Sequence, residues 1–231
     1  MRAGFFFLAL IFTLGLCATA IPKISIDNTI YEFEGVVAGI AVIHMFTLTN
    51  SGDEPLLIER VHATCGCSTT ILSKACLAPG ESTKLEVMVD TAGLEGNINK
   101  IIYITSNDPN SPEQTLQIRG SVEPAGSYCI AAGDLRNWFY LLVDLRDPED
   151  YAASHLIGAI NIPYAELASW ISRLPREALI VLYDEDESLS GQAVHILQQA
   201  GFHGVGSLLG GLNEWMRQFK GRFLLVSSTD G

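Results

Sequence analysis

The pattern of apolar residues changes near residue 124, and this change divides the chain into two parts with different folds. Before it, short apolar runs are separated by turn residues and show no helical period. After it, short apolar runs alternate with stretches of helical spacing, which predicts a parallel sheet with helices on both faces. We therefore predict an N-terminal domain over residues 21–123, a C-terminal domain over residues 124–222 and a tail over residues 223–231.

The N-terminal domain is predicted to be an all-β sandwich of antiparallel strands. Turn clusters such as Pro79-Gly80 and Asn107-Asp108-Pro109 separate its strand-like runs. Short strands at this spacing are typical of two packed sheets. The clearest predicted strands cover residues 42–50, 56–63, 84–90, 100–107 and 115–123.

Residues 1–20 have the composition of a secretory signal peptide. Arg2 is followed by an apolar run and by the small-residue sequence Ala18-Thr19-Ala20. A lipid anchor on Cys17 is disfavoured because Leu16 precedes it, where a small residue is required. No later apolar run approaches the ~18 residues of a membrane-spanning helix. We therefore expect a secreted protein of the bacterial periplasm, with no membrane span in the mature chain.

The charge of the chain limits the partners that it can bind. The formal net charge is −12, which disfavours nucleic acid and anionic lipid surfaces. No motif in the sequence indicates a cofactor, so we expect none. The partner we expect is a protein of unknown identity.

Spaced motifs in the C-terminal part carry a family resemblance. The segment Asp144 to Pro163 contains an Asp-x-Arg sequence, Tyr151 and a His155-to-Gly158 step, and a closing block contains Gly210, Gly211 and Trp215. In this order, over roughly residues 127–220, they resemble the rhodanese-like family. We expect Asp144 to fix the turn after its strand, His155 to be a buried, hydrogen-bonded residue and Trp215 to anchor the core.

The resemblance implies a loop that, in active members, begins with a cysteine carrying sulfur as a persulfide. Here Asp184 stands at the position of that cysteine and Leu189 at that of the usual arginine, while Ser190 matches the hydroxyl residue. A carboxylate cannot hold a persulfide. We therefore predict no catalytic residue in this domain, and we expect Asp184 to accept the loop amides as a built-in anion.

The loop is also strongly acidic. Asp184, Glu185, Asp186 and Glu187 are consecutive, and four negative charges at the loop mouth repel a dianion such as thiosulfate. The spacing of Asp184, Asp186 and Ser188 is similar to part of a calcium loop. The glycine and the distal bidentate glutamate of such a loop are missing, so we expect a solvated acidic loop.

The N-terminal part also resembles a known family. Its motifs are Phe46-x-Leu-Thr-Asn-Ser-Gly52, Cys65-Gly66-Cys67-Ser68, Ala78-Pro-Gly-Glu-Ser82 and Ser106-Asn-Asp-Pro109. Together they resemble a family of secreted bacterial domains of unknown function, related to hydin-like immunoglobulin folds. The resemblance covers about residues 25–122 and implies a fold without an established activity.

The cysteines of this domain allow three arrangements. Cys76 could form a disulfide with Cys65 or Cys67 and tie a loop of about ten residues. A bridge between Cys65 and Cys67 themselves is expected to be strained, easily reduced and redox-active. The three cysteines with His62 could instead form a soft-metal site for copper(I) or zinc. Cys129, in the second domain, is predicted to be buried and inert.

Three functions are therefore considered. The first is a binding or scaffolding module in which the sandwich face or the altered loop contacts a protein. The second is a sulfurtransferase or thiol-redox protein in which a thiol of the Cys-Gly-Cys element docks against the loop and carries sulfur. The third is copper or zinc handling at the cysteine cluster.

Overall fold

A computed structural model describes residues 20–137 and 139–226. The predicted signal peptide therefore lies outside the described residues except for Ala20, and so does the end of the predicted tail, residues 227–231. Within the described residues, none of the helices combines the length and the apolar character needed to cross a bilayer.

The N-terminal part is rich in strands, as its alternating pattern predicted. Its strands are β1 (Ile24–Ile26), β2 (Ile30–Val37), β3 (Val42–Asn50), β4 (Leu56–Ala63), β5 (Ser68–Leu72), β6 (Cys76–Leu77), β7 (Ser82–Val89), β8 (Gly96–Ser106) and β9 (Glu113–Glu123). They form a four-stranded sheet in the order β1-β3-β7-β5 and a five-stranded sheet in the order β2-β9-β8-β4-β6.

The two sheets bury one hydrophobic core between them. Phe46 and Leu85 from the four-stranded sheet and Ile102 and Leu116 from the five-stranded sheet are fully buried in the same cluster. Alternate residues of β7 face this core, as expected for a strand with one buried face. The prediction of antiparallel pairing is wrong at one place, because β2 runs parallel to β9.

The C-terminal part alternates strands with helices. It contains 3₁₀ helices at Ala132–Asn137 and Tyr164–Glu166, the helices α1 (Pro148–Ala153), α2 (Leu167–Trp170), α3 (Ser188–Gln199) and α4 (Gly211–Phe219), and the strands β10 (Cys129–Ile130), β11 (Tyr140–Asp144), β12 (Ser154–Leu156), β13 (Ile160–Asn161), β14 (Leu179–Tyr183), β15 (Val205–Leu208) and β16 (Leu224–Val226).

Five of these strands form the predicted parallel sheet, in the order β10-β15-β14-β11-β13, with every pair parallel. Successive residues of β14 point to opposite faces: Ile180 and Leu182 pack with α3, whereas Val181 and Tyr183 pack with α4. The sheet is thus covered on both faces, which confirms the prediction.

Part of the segment predicted to be a tail is a strand. β16 pairs antiparallel with β12, with Leu224 opposite Leu156. Leu224 also packs against the cluster that contains Trp215. Leu224 is the inward-facing side chain of β16, whereas Leu225 and Val226 are exposed.

A buried carboxylate joins the two parts of the chain. Glu214 of α4 is 7% exposed, and its Oε1 accepts hydrogen bonds from the Ala41 backbone N–H (2.9 Å) and from Gln218 Nε2 (2.6 Å). Arg217 pairs with the same carboxylate at 2.7 Å and donates to the Ala41 carbonyl. Gln218 donates to the Gly39 carbonyl at 3.1 Å. The turn between β2 and β3 is thereby held against α4.

We expect the substitution Glu214→Ala to lower the free energy of unfolding by about 2–3 kcal/mol, because it leaves Arg217 and the Ala41 N–H without their buried acceptor. Urea unfolding followed by circular dichroism measures the change. The exposed Glu177 provides the control, since Glu177→Ala should change stability by less than about 0.5 kcal/mol. Equal effects of the two substitutions would show that this carboxylate does not support the contact.

Candidate functional site

The candidate site lies at the carboxyl edge of the parallel sheet. β11 and β14 are adjacent and in register, with Asp144 opposite Tyr183, so the loops that follow them meet. The residue after Tyr183 is Asp184, which is only 2% exposed. The chain then turns through the acidic loop and enters α3 at Ser188.

The Asp184 carboxylate occupies the start of α3. Its Oδ1 accepts bonds from the Ser190 backbone N–H (3.1 Å) and hydroxyl (2.6 Å). Its Oδ2 accepts bonds from the Leu189 N–H (2.9 Å) and the Ser188 hydroxyl (3.2 Å). The first turn of a helix leaves such N–H groups without partners and carries a partial positive charge. The prediction that Asp184 acts as a built-in anion is confirmed by these contacts.

A second acidic residue also turns inward. Glu187 has a left-handed backbone conformation (φ 76°), which costs a non-glycine residue roughly 1–2 kcal/mol. Its side chain accepts bonds from the Ser207 hydroxyl (2.6 Å), the Cys129 thiol (3.3 Å) and the Gly210 N–H (2.9 Å). These three bonds offset the cost. The sequence carried no signal for this arrangement.

The prediction of a solvated loop with four charges at its mouth is therefore wrong for Asp184 and Glu187. Glu185 and Asp186 are exposed as expected. Hydrogen bonds from the Ser188 hydroxyl and backbone N–H lower the pKa of Asp186. Two acidic side chains thus face solvent, while the other two hold the loop in shape.

The start of α4 holds the loop backbone from the other side. The Leu212 and Asn213 N–H groups donate to the carbonyls of Asp184 and Glu185, both at 2.9 Å. Gly211 has a positive φ of 61°, and a Cβ there would lie 2.7 Å from the Asp184 carbonyl oxygen. The absence of a side chain at Gly211 thus permits the start of α4 to approach this loop closely.

The cation nearest to the loop is already paired. Arg146 forms ion pairs with Asp144 (2.7 Å) and Glu185 (3.4 Å), and its guanidinium also donates to the Ser154 carbonyl at 2.6 Å. Asp144 accepts the Arg146 backbone N–H at 3.0 Å, which fixes the turn as predicted. The sequence placed Arg146 in the Asp-x-Arg motif but did not predict its ion pairs. Its position just after a buried strand was the signal that could have indicated them.

These elements enclose an open cleft of about 740 Å³. Its lining consists of Leu145, Arg146, Asp147, Asp150, Tyr164, Ala165, Asp184, Glu185, Asp186, Ser188 and Leu189. The lining includes no cysteine or histidine, so it offers no thiol for sulfur transfer. Its carboxylates outnumber its single paired cation, so the cleft favours neutral or cationic groups over anions.

The cysteines of the N-terminal part do not form the first arrangement considered, a disulfide between Cys76 and Cys65 or Cys67. Cys65 and Cys67 form a disulfide with each other, with their Cα atoms 5.3 Å apart. Cys76 is a free, exposed residue on β6, opposite Leu57 near the start of β4. Because Cys65 follows the end of β4, about 20 Å further along the strand, Cys76 is out of disulfide range.

The same separation removes Cys76 from the soft-metal alternative. His62 lies on β4, where it stacks on Tyr103 with ring centroids 5.2 Å apart and its Nδ1 is buried without a hydrogen-bond partner. Among the residues that the structure describes, no three histidine, cysteine or acidic side chains are placed to hold a metal ion. The predicted four-residue site is therefore not assembled.

The remaining predicted residues lie away from the cleft lining. Cys129 is only partly buried, and its burial and the Glu187 carboxylate raise the pKa of the thiol to about 11, which agrees with an inert thiol. His155 is also only partly buried; its Nδ1 lies 2.8 Å from the Tyr151 carbonyl. Trp215 is 8% exposed and belongs to the core, as predicted.

Family models match both parts of the chain. Residues 24–122 match a protein of unknown function (DUF1573), and residues 131–218 match the rhodanese-like domain. The chain therefore carries a rhodanese-like domain in its C-terminal half, preceded by a DUF1573 domain. The resemblances read from the motifs are confirmed.

Individual relatives cover only part of the chain. The Centrosomal protein of 41 kDa B of Xenopus laevis is 35% identical over 89 residues, which are 35% of this chain and 24% of that protein. The chain thus spans about a quarter of that relative's length. A Porphyromonas gingivalis protein of unknown function is 22% identical with a TM-score of 0.41, covering 46% of this chain and 50% of the other. A rhodanese-like domain from Anabaena is 28% identical with a TM-score of 0.38, covering 43% and 78%.

We expect Asp184→Ala to lower the free energy of unfolding by about 3 kcal/mol, because the buried Leu189 and Ser190 donors lose their acceptor. Urea unfolding measures the loss. Asp186→Ala is the matched control in the same loop: this exposed residue accepts only from Ser188, so the expected loss is below about 1 kcal/mol. If both variants lose the same stability, Asp184 does not organise the loop.

The pKa of Cys129 provides a test of the inward position of Glu187. The substitution Glu187→Gln removes the negative charge beside the thiol, so the pKa of Cys129 should fall and its alkylation should begin at lower pH. Iodoacetamide labelling between pH 7 and pH 11, read by mass spectrometry of the Cys129 peptide, measures the shift. Asp186→Asn should leave the profile unchanged, and an unchanged profile in Glu187→Gln would contradict the contact.

Proposed function

We propose that this chain is a secreted, periplasmic protein whose rhodanese-like domain does not transfer sulfur and serves as a binding or scaffolding module for a protein partner. The observation that supports this most directly is the Asp184 carboxylate, which fills the position of the family's sulfur-carrying cysteine and accepts four hydrogen bonds there. A group that is fully bonded to the start of α3 is not available to react.

The chemistry of sulfur transfer supports the same conclusion. A persulfide carrier must be a thiolate stabilised by loop amides, and the amides of Leu189 and Ser190 are already occupied by a carboxylate. Leu189 replaces the arginine that would attract an anionic sulfur donor. Arg146 is paired with Asp144 and Glu185 and cannot take over that task.

The cleft has the size of a binding site, although its lining includes no thiol. A volume of about 740 Å³ lies within the range of ligand pockets, and its exposed acids suit a neutral or cationic segment of a protein. We propose that the N-terminal domain, over residues 21–123, is an immunoglobulin-like sandwich. Its two sheets with a shared core support that assignment.

The sulfur-carrier alternative has less support. The backbone hydrogen bonds of Cys65 and Cys67 go to Ser68 and Asp90, and none of the contacts in the described part of the chain joins this turn to residues 184–190. Metal handling by the cysteine cluster is disfavoured because Cys76 lies at the opposite end of β4.

The test is a thiosulfate–cyanide assay of the purified full chain, before and after mild reduction. We expect thiocyanate formation at the level of the buffer, because the cleft offers no thiolate. Thiocyanate produced in proportion to the protein would overturn the proposal. The Cys65→Ser/Cys67→Ser double variant identifies the source of any activity that is found.

The binding role is tested in cells with a photo-cross-linking residue in place of Leu189, which lines the cleft. We expect one discrete adduct with a protein, lost when Glu185 and Asp186 are changed to lysine. The same residue placed at the exposed Glu177 is the control. Absence of an adduct, or an equal adduct from both positions, would contradict binding at the cleft.

A further inference from the structure

The Cys-Gly-Cys turn connects the two sheets of the N-terminal domain. β4 belongs to the five-stranded sheet and β5 to the four-stranded sheet, and residues 64–67 form the link. The disulfide closes a loop of only three residues. Since the loop-closure entropy that a bridge removes is least for the shortest loops, this bridge contributes little as a structural staple.

The backbone of the turn is held without the disulfide. The Ser68 N–H donates to the Cys65 carbonyl at 3.3 Å, and the Asp90 N–H donates to the Cys67 carbonyl at 2.8 Å. Ser68 also stands in register with Val89 of β7, a fully buried residue. The turn therefore has the contacts to stay folded when the sulfur–sulfur bond is open.

The two sulfurs are within reach of an external thiol. Cys65 and Cys67 are both partly exposed, and no heavy atom outside residues 65–67 lies within 4 Å of the place where a Cβ on Gly66 would be. The other described cysteines are remote: Cys76 lies at the far end of β4, and Cys129 belongs to the second domain. A reaction partner for the pair must therefore come from another molecule.

A hydroxyl makes the two sulfurs unequal. The Ser68 Oγ lies 3.5 Å from the Cys65 Sγ, where it can donate to a thiolate that forms on Cys65. No side-chain hydroxyl contacts the Cys67 sulfur within the described residues. In thiol–disulfide exchange the thiol with the better-stabilised anion leaves faster, so Cys65 is the leaving group.

We propose that Cys65 and Cys67 form a thiol–disulfide exchange site for an external dithiol, with attack directed to Cys67. The dithiol's first thiolate attacks the Cys67 sulfur, the Cys65–Cys67 bond breaks, and its electron pair leaves on Cys65 beside Ser68. The dithiol's second thiolate then attacks its own first sulfur, which releases the Cys67 thiolate and an oxidised, disulfide-bonded dithiol. Two electrons pass to the pair, both thiolates take protons from water, and an external disulfide reverses the reaction.

The attack site is read on the native full chain with reduced glutathione as the probe. After a short reaction the sample is quenched with acid and alkylated with iodoacetamide, and the tryptic peptide Val61–Lys74, which contains both cysteines and no others, is sequenced by mass spectrometry. We expect glutathione on Cys67 and alkyl on Cys65 in about threefold excess over the reverse isomer. This ratio is expected if the hydroxyl makes the pKa of the Cys65 thiol about one unit lower than that of Cys67, because the rate at which a thiolate leaves depends on its pKa with a Brønsted coefficient of about 0.5.

Three variants, checked for folding by circular dichroism, separate the role of the hydroxyl from a structural one. Ser68→Ala should bring the isomer ratio close to one, Ser68→Thr should keep the excess, and Thr69→Ala, the exposed neighbour, should leave it unchanged. The proposal is overturned if the pair is reduced only in unfolded protein, if the isomers are equal in the unaltered chain, or if Ser68→Ala keeps the excess.

Discussion

The buried carboxylate of Asp184 is the contact on which the shape of the candidate site depends. Asp184 directly follows β14, and its carboxylate accepts hydrogen bonds from the Leu189 and Ser190 N–H groups and from two serine hydroxyls. A thiolate or a bound anion could meet the same donors, but it would depend on ionisation or on a ligand. A carboxyl group that is covalently attached to the chain at this position is always present. The loop therefore keeps its shape without a thiolate and without a bound ligand.

The rest of the loop is held by contacts that are equally independent of a thiol. Glu187 accepts a hydroxyl, a thiol and a backbone N–H. The start of α4 approaches the loop at Gly211, where a side chain would collide with the Asp184 carbonyl. The loop of this rhodanese-like domain is thus held by contacts that do not require a cysteine at position 184.

The sequence predicted what depends on local pattern. Alternation identified Val42–Asn50 as a strand, and the spaced motifs located the rhodanese-like domain and the capping position of Asp184. The sequence-based predictions failed where the position of a residue depends on the register between strands that are distant in sequence. Cys76 is close to Cys65 in sequence. Because β6 pairs with the start of β4, Cys76 lies at the end of β4 that is opposite to Cys65. The inward turn of Glu187 depends on a left-handed backbone that consecutive acidic residues do not signal.

The acidic cleft and the Cys65–Cys67 disulfide lie in different domains of the molecule. The C-terminal cleft is acidic, and the residues that line it include no cysteine. The Cys65–Cys67 pair lies on a turn whose backbone is fixed by Ser68 and Asp90, so its sulfurs can change oxidation state without rearrangement of the sheets. Glu214 ties the two domains through the turn between β2 and β3, and hydrogen bonds from Gly39 and to Ile40 also join this turn to the Thr91 hydroxyl. Because the neighbouring Asp90 N–H donates to the Cys67 carbonyl, a short series of hydrogen bonds links the disulfide turn to α4.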